Sequence, residues 1–276
     1  MISAIIKISR PINFIITFSA VIIAALISSK NNFITSQILF AAFAMAFACS
    51  AGNIFNDIID LEIDKINKPN RTLAKGIISI TFAKILYGIF ILLTILFAFY
   101  NGFNSFFYLI VINLVLIIYS TRLKKIILIG NLTVALLTSS ALIYGAMICD
   151  NIYAGIIPSL FAFFTNFIRE IIKDMEDVNG DSANNIITFP KVYGNKKAIN
   201  LISALTILVI VFTLIPFVYK IYRIEFLIIV MAIANPLFIY MLKILHNKQD
   251  LHSFSKASII LKLNMIIGLI AIYIGA

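Results

Sequence analysis

Residues 34–64 read ITSQILFAAFAMAFACSAGNIFNDIIDLEID, an apolar run that ends in an acidic motif. The run 34–54 is long enough to cross a bilayer, because an α-helix needs about 20 mostly apolar residues to span the hydrocarbon core. The polar end that follows carries Asp57, Asp60 and Asp64 in the pattern Asp-x-x-Asp-x-x-x-Asp. This stretch therefore predicts a membrane helix that delivers carboxylates to one membrane surface.

Similar apolar runs recur along all 276 residues, of which 62% are hydrophobic and 12% charged. Nine runs are long enough to span: 11–29, 34–54, 77–100, 104–120, 126–148, 151–168, 199–219, 224–245 and 257–275. Backbone groups find no water in the bilayer core, so runs of this length favour helices. We expect an all-α membrane protein of about nine transmembrane helices, with residues 1–276 forming one polytopic domain.

The net charge of +10 is explained by topology. If nine helices alternate across the membrane, seventeen of the 22 Lys and Arg residues fall on one side. The positive-inside rule assigns that side to the cytoplasm. We therefore expect a multi-pass protein of the cell membrane, with the N-terminus and both acidic regions cytoplasmic and the C-terminus extracytoplasmic. The basic excess also attracts anionic membrane lipids, and no nucleic-acid partner is predicted.

The acidic pattern occurs a second time, at Asp174, Asp177 and Asp181. Nine of the twelve Asp and Glu residues lie in these two regions. The motifs, at 56–64 and 173–181, are 117 positions apart (174 − 57), close to half the chain, which suggests an internal duplication.

The spacing of each motif suits a cation site. Positions i, i+3 and i+7 share one face of a helix, so the three carboxylates of a motif would converge. Hard oxygen ligands favour Mg²⁺ or Ca²⁺, and Mg²⁺ is usually bound by one or two carboxylates together with substrate phosphates. Two such clusters could bind a diphosphate through metal ions.

Basic and amide side chains flank both motifs. Those that could contact a diphosphate are Asn53, Asn56, Lys68, Arg71, Arg169 and Lys173. The alternative is that acids and bases at membrane ends only pair with one another and solvate the interface. Two copies at identical spacing favour the site.

Four segments together resemble the UbiA superfamily of intramembrane prenyltransferases. Residues 52–71, GNIFNDIIDLEIDKINKPNR, are similar to its first signature, and residues 169–181, REIIKDMEDVNGD, to its second. Residues 119–124, YSTRLK, look like its Tyr-Ser loop motif, and Arg10-Pro11-x-Asn13 resembles the start of its first helix. One departure is the run RTLAKG at 71–76, where the family often has Arg-Pro-x-Pro-Ser-Gly.

The resemblance implies a nine-helix bundle with polar cytoplasmic loops, and Mg²⁺-dependent transfer of an isoprenoid chain from a prenyl diphosphate donor. Within that reaction, Mg²⁺ is expected at Asp57, Asp60, Asp64, Asp174, Asp177 and Asp181, with Asp57, Asp60, Asp174 and Tyr119 acting catalytically. The diphosphate is expected at the six flanking residues named above, and the acceptor at Asn13, Ser120, Arg122 and Lys124.

The acceptor is the less determined partner. Both signatures look most like the archaeal branch, which adds a second geranylgeranyl group to geranylgeranylglyceryl phosphate, so a lipid-like phosphorylated glycerol is expected. An aromatic acceptor of quinone synthesis, 4-hydroxybenzoate or a naphthoate, stays open as an alternative. A cation-coupled transporter is the alternative from another class, although its acids should lie deep within helices rather than beside basic loops.

Overall fold

The computed structural model describes residues 2–29, 33–177 and 187–276, and within these ranges every regular element is helical. The α-helices are α1 Ile2–Ile8, α2 Pro11–Ser28, α3 Ser36–Ile59, α4 Leu61–Asn67, α5 Ile80–Tyr100, α6 Phe103–Thr121, α7 Ile129–Ile148, α8 Ile152–Glu176, α9 Phe189–Phe212, α10 Ile215–Val218, α11 Ile224–Ile229, α12 Asn235–Asn247 and α13 Leu251–Gly275. A 3₁₀ turn, Leu123–Lys125, follows α6, and π-helical residues Val230–Ala234 join α11 to α12.

The prediction of nine spans is confirmed for the described part of the chain. Its helices of membrane length are Pro11–Ser28, Ser36–Ile59, Ile80–Tyr100, Phe103–Thr121, Ile129–Ile148, Ile152–Glu176, Phe189–Val218, Ile224–Asn247 and Leu251–Gly275. Six of them are longer than their apolar runs, and two of these extensions concern the acidic motifs. Helix α3 continues to Ile59 and α8 to Glu176, so Asp57 and Asp174 lie on helices rather than in connections.

The described residues divide into two compact units. Those within Met1–Lys124 and Ala141–Gly155 form the first unit, which contains the first acidic motif. Those within Lys125–Ser140, Ile156–Val178 and Ile187–Ala276 form the second, which contains the described part of the second motif. The expectation of a single domain over residues 1–276 stays a prediction.

Helix α3 is the centre of the first unit, where it packs against α2, α5 and α6. Six of its alanines have no exposed surface: Ala41, Ala42, Ala44, Ala46, Ala48 and Ala51. Small side chains let membrane helices approach closely, since packing rather than water exclusion holds them together. A Cβ atom added at Gly52 would lie 2.9 Å from the Leu116 side chain on α6. This packing fixes the end of α3, where the acidic motif begins.

The connection after α4 is compact and anchored. Leu73 is 5% exposed and belongs to a buried cluster with Ala4, Ile8 and Ile54. The Arg71 N–H donates to the Lys68 carbonyl at 2.9 Å, and further turns follow as far as Ile77. The segment that departs from the family pattern is therefore held in place by a buried leucine and backbone hydrogen bonds.

The second unit has its own core, which fixes the rotation of α8. Ile168, Ile171, Ile172 and Met175 on α8 are at most 2% exposed and pack with residues of α9, α12 and α13. Helix α9 is interrupted at Gly194, whose φ of 80° is readily adopted only by glycine.

Gly145 on α7 marks a close approach between helices in the first unit. A Cβ atom there would lie 2.3 Å from the Val21 carbonyl oxygen on α2. We expect Gly145→Ala to destabilise the protein by about 1–3 kcal/mol, because a backbone atom cannot move aside as a flexible side chain can. Thermal unfolding in detergent measures this.

Gly268→Ala is the matched control for that prediction. No heavy atom of the described residues, other than those of its own backbone and chain neighbours, lies within 4 Å of a Cβ placed at Gly268. The same change should therefore be neutral or stabilising by up to about 1 kcal/mol through helix propensity. Equal unfolding temperatures for the two variants would contradict the close approach at Gly145.

Candidate active site

The first acidic motif is divided between two helices. Asp60 ends α3 and precedes α4, with φ −91° and ψ 11°, so the motif is not one uninterrupted helix. The backbone ladder nevertheless continues across it: the Asp60 N–H donates to the Asn56 carbonyl at 2.8 Å, and the Asp64 N–H donates to the Asp60 carbonyl at 2.8 Å. Asp57 therefore projects from α3 and Asp64 from α4.

Arg71 joins the two ends of the first motif. Its Nη1 donates to Asp57 Oδ1 at 3.1 Å and to Asp64 Oδ2 at 2.5 Å. Both aspartates are only 5% exposed. Burial raises the pKa of the Asp64 carboxyl, and the Arg71 guanidinium opposes that rise. Two carboxylate oxygens thus converge on one positively charged nitrogen.

Arg10 brings a second guanidinium to Asp57. It precedes α2 in a left-handed conformation, φ 52° and ψ 71°, with Pro11 at the first helical position. Its Nη2 pairs with Asp57 Oδ1, and its Nη1 donates to Asn53 Oδ1 at 3.1 Å. The sequence marked Arg10 only as part of a family motif; its place beside Asp57, 47 residues away, was missed.

Lys124 supplies the third cation of this cluster. It lies in the 3₁₀ turn after α6, and its Nζ pairs with Asp60 Oδ1. The Lys124 side chain is 9% exposed and that of Asp60 14%. Lys124, predicted to bind the acceptor, is therefore placed against the first motif.

The other predicted site residues of the first unit differ in their exposure. Asn56 Oδ1 is buried without a hydrogen-bond partner among the described residues. Tyr119 is half-buried in the last turn of α6, Ser120 beside it is 1% exposed, and Arg122 is exposed. Asn13 and Lys68 are half-buried.

The second motif has a different arrangement of charges. Asp174 lies on α8, Asp177 follows its end, and Asp181 lies outside the described residues. Glu170, 6% exposed, accepts from Arg169 Nη1 at 3.2 Å and from Lys173 Nζ at 2.8 Å. The two predicted diphosphate ligands of this motif are thus held by a carboxylate that sequence reasoning had not placed in the site.

Asp174 Oδ2 accepts a hydrogen bond at 2.8 Å from Nδ2 of Asn131, a residue on α7. Asn131 was another residue that sequence reasoning missed: it begins an Asn-x-Thr sequence inside an apolar run, which gives no sign of a contact 43 residues away. A neutral amide thus contacts Asp174, and guanidinium and ammonium groups contact the aspartates of the first motif.

Neither the first motif nor the described part of the second is by itself a complete metal cage. Among the described residues no group of three or more His, Cys, Asp or Glu side chains is arranged to hold a metal ion. The oxygen donors nevertheless suit Mg²⁺, which needs only one or two carboxylates when phosphate oxygens complete its shell. The Arg71 guanidinium lies where the carboxylates of Asp57 and Asp64 converge, so these carboxylate oxygens are arranged to bind a cation.

Comparison with known proteins gives a consistent family. The model of the UbiA prenyltransferase family matches residues 17–266. The chain is 34% identical to the digeranylgeranylglyceryl phosphate synthase of Methanosphaera stadtmanae, over 98% of both chains. It is 36% identical to the protein of the same name from Saccharolobus solfataricus, over 92% of this chain and 90% of that one.

Solved structures share the fold. A structure described as that of digeranylgeranylglyceryl phosphate synthase in membranes is 32% identical, has a TM-score of 0.77, and is covered over 98% of its length and 99% of this chain. A UbiA homolog from Archaeoglobus fulgidus bound to GPP and Mg²⁺ has a TM-score of 0.68 at 18% identity, with 99% of its chain and 98% of this one covered. The chain is thus a multi-pass membrane enzyme and belongs to the UbiA prenyltransferase family.

Proposed function

We propose that this enzyme transfers a geranylgeranyl group from geranylgeranyl diphosphate to geranylgeranylglyceryl phosphate, forming an archaeal ether-lipid precursor and releasing diphosphate. Relatives named digeranylgeranylglyceryl phosphate synthase match nearly the whole chain at 34–36% identity, which supports this reaction over transfer to an aromatic acceptor. The two acidic motifs lie within the matched regions.

The observation that carries the proposal is the sharing of Arg71 Nη1 by Asp57 and Asp64. Buried carboxylates that converge on one point form a cation site, because each ionised group needs compensation away from water. In the protein alone that compensation comes from guanidinium. When a metal-bound diphosphate binds, Arg71 would contact its phosphate oxygens.

Mg²⁺ would be held by Asp57, Asp60 and Asp64 in the first motif and by Asp174, Asp177 and Asp181 in the second. When bound, Mg²⁺ supplies electrostatic stabilisation of the negative charge that develops on the leaving diphosphate. A solved UbiA homolog was obtained with GPP and Mg²⁺, which supports this choice of metal.

The basic residues bind and orient the diphosphate. Arg71 and Lys68 would contact it from the first motif, and Arg169 and Lys173 from the second, with Asn53 and Asn56 as neutral partners. Lys124, which lies against Asp60, would act with the first motif rather than on the acceptor. Arg–phosphate contacts are often bidentate, so they fix orientation as well as charge.

The transfer breaks the bond between C1 of the prenyl chain and the diphosphate oxygen, which leaves with the electron pair. A new bond joins C1 to the glycerol hydroxyl oxygen of the acceptor, and the hydroxyl proton passes to the released diphosphate. In this proposal Tyr119 would face the allylic carbon or the acceptor, and Asn13, Ser120 and Arg122 would bind the acceptor. Exclusion of water keeps the allylic carbon from hydrolysis.

The orientation of the enzyme follows from its basic residues. With seventeen of 22 Lys and Arg residues on the side of the acidic motifs, we propose that this side, with the N-terminus, faces the cytoplasm and that the C-terminus is extracytoplasmic. A water-soluble diphosphate would then enter from the cytoplasm, while both prenyl chains stay in the bilayer.

Asp57→Asn and Asp174→Asn test the two motifs separately. Each change keeps the side-chain shape but removes an anionic oxygen, so we expect kcat/KM to fall at least about 100-fold in each variant. The measurement is transfer of labelled geranylgeranyl groups by protein whose folding is verified by thermal unfolding in detergent.

Glu62→Gln is the control for both variants. Glu62 is an exposed acid of the same region that pairs with Lys65 at the surface. The control should retain near-normal rates, since exposed ion pairs contribute little. Near-normal activity in either Asp variant would remove its motif from the site.

Metal removal and acceptor choice test the reaction itself. We expect EDTA to stop transfer and Mg²⁺ to restore it, because the diphosphate is neutralised through the metal.

With labelled geranylgeranyl diphosphate, geranylgeranylglyceryl phosphate should give an ether product, while 4-hydroxybenzoate and a naphthoate should give none. A prenylated aromatic without ether product would replace the proposed acceptor, and ion flux in proteoliposomes without transfer would replace the enzyme with a transporter.

A further inference from the structure

A buried carboxamide on α7 contacts the second acidic motif. Asn131 lies in the first turn of α7 and is 8% exposed. Its Nδ2 donates to Asp174 Oδ2 at 2.8 Å, across 43 residues of sequence. The function proposed above assigns no role to Asn131, yet the contact falls on an aspartate of the motif.

The position of Asn131 is fixed by the start of α7. Leu128, just before the helix, has a φ of 61°, which is uncommon for leucine. Leu128 and Leu132 pack against the core of the second unit, and the Leu132 N–H donates to the Leu128 carbonyl at 2.8 Å. Ala135, one turn after Asn131 on the same helix face, has no exposed surface. Packing therefore holds Asn131 on the buried face of α7.

Buried side chains also fix helix α8, which carries Asp174, the other residue of this hydrogen bond. Ile171, Ile172 and Met175 flank Asp174 in sequence and are at most 2% exposed. The backbone of Asp174 is thereby held. The hydrogen bond from Asn131 engages Oδ2 and so contributes to the orientation of the carboxylate.

The Asn131 amide N–H fixes the position of the Asp174 carboxylate oxygen that it contacts. Groups that orient metal ligands in this way commonly change metal affinity by 10- to 100-fold when they are removed.

We propose that Asn131 is a positioning residue of the second acidic motif: its carboxamide holds Asp174 in the orientation that receives Mg²⁺ and the donor diphosphate. This inference rests on the proposed function, since it concerns the same site.

Two variants of Asn131 test the proposal. Asn131→Leu keeps the size but loses the donor, and Asn131→Ala removes the donor without adding bulk or charge and gives an answer even if the leucine variant does not fold. The first readout is binding of Mn²⁺, which takes similar oxygen ligands, in the presence of inorganic diphosphate, measured by electron paramagnetic resonance. We expect binding to weaken about tenfold or more in both variants. The KM for Mg²⁺ should rise by a similar factor, with a smaller change in kcat at saturating Mg²⁺.

Asn264→Leu is the matched control. Asn264 is 4% exposed in the second unit, and its Nδ2 donates to the Ala234 carbonyl at 3.1 Å, so the change again removes an interhelical amide bond but touches no carboxylate. It should lower thermal stability without weakening Mn²⁺ binding.

The results separate this inference from the proposed function. If the wild-type protein binds Mn²⁺ with diphosphate and both Asn131 variants bind it equally well, Asn131 serves packing alone and only the inference is overturned. If the wild-type protein itself shows no such binding, the proposed function falls together with the inference.

Discussion

Two buried aspartates that share one guanidinium nitrogen are the constraint on which the polar end of the first unit depends. An ionised carboxylate within an apolar protein is unstable unless a positive group or a metal ion compensates it. Asp57, Asp60 and Asp64 face Arg10, Arg71 and Lys124. The turn before α2, the segment after α4 and the 3₁₀ turn after α6 each bring one of these cations, so several connections are organised around the same three carboxylates.

In the second motif, a buried glutamate and a neutral amide lie beside the charged residues. Glu170 compensates Arg169 and Lys173, while Asp174 accepts from the neutral Asn131. Two motifs with the same Asp spacing therefore differ in the groups around them.

The sequence predicted the membrane fold well because bilayer thickness sets the length of apolar runs. It predicted the helix ends less well: α3 and α8 continue through polar residues, since backbone hydrogen bonding does not stop where hydropathy falls. Helix α13 begins at Leu251 rather than 257 because the Asp250 side chain caps it through the Ser253 N–H.

In the candidate site, local spacing identified the aspartates, and the basic residues near them in sequence were found in the same way. The pairings of Arg10 with Asp57 and of Asn131 with Asp174 span more than 40 residues each. Such pairings are decided by tertiary packing, which leaves no periodic pattern in a single sequence. Glu170 was counted among the acids, but its role depends on which neighbours its side chain meets.

The burial of Leu73 beside Ala4 and Ile8 links the short helix α1 to the segment that carries Arg71. Helix α1 has no residue in the site, yet its apolar side chains form part of the surface on which that segment rests. A polar residue at Ile8, or a tag that displaces α1, would therefore disturb the position of the Arg71 guanidinium between Asp57 and Asp64. The effect would be transmitted by the hydrophobic cluster. Helix α1 therefore supports the segment that carries Arg71, although it contributes no side chain to the site.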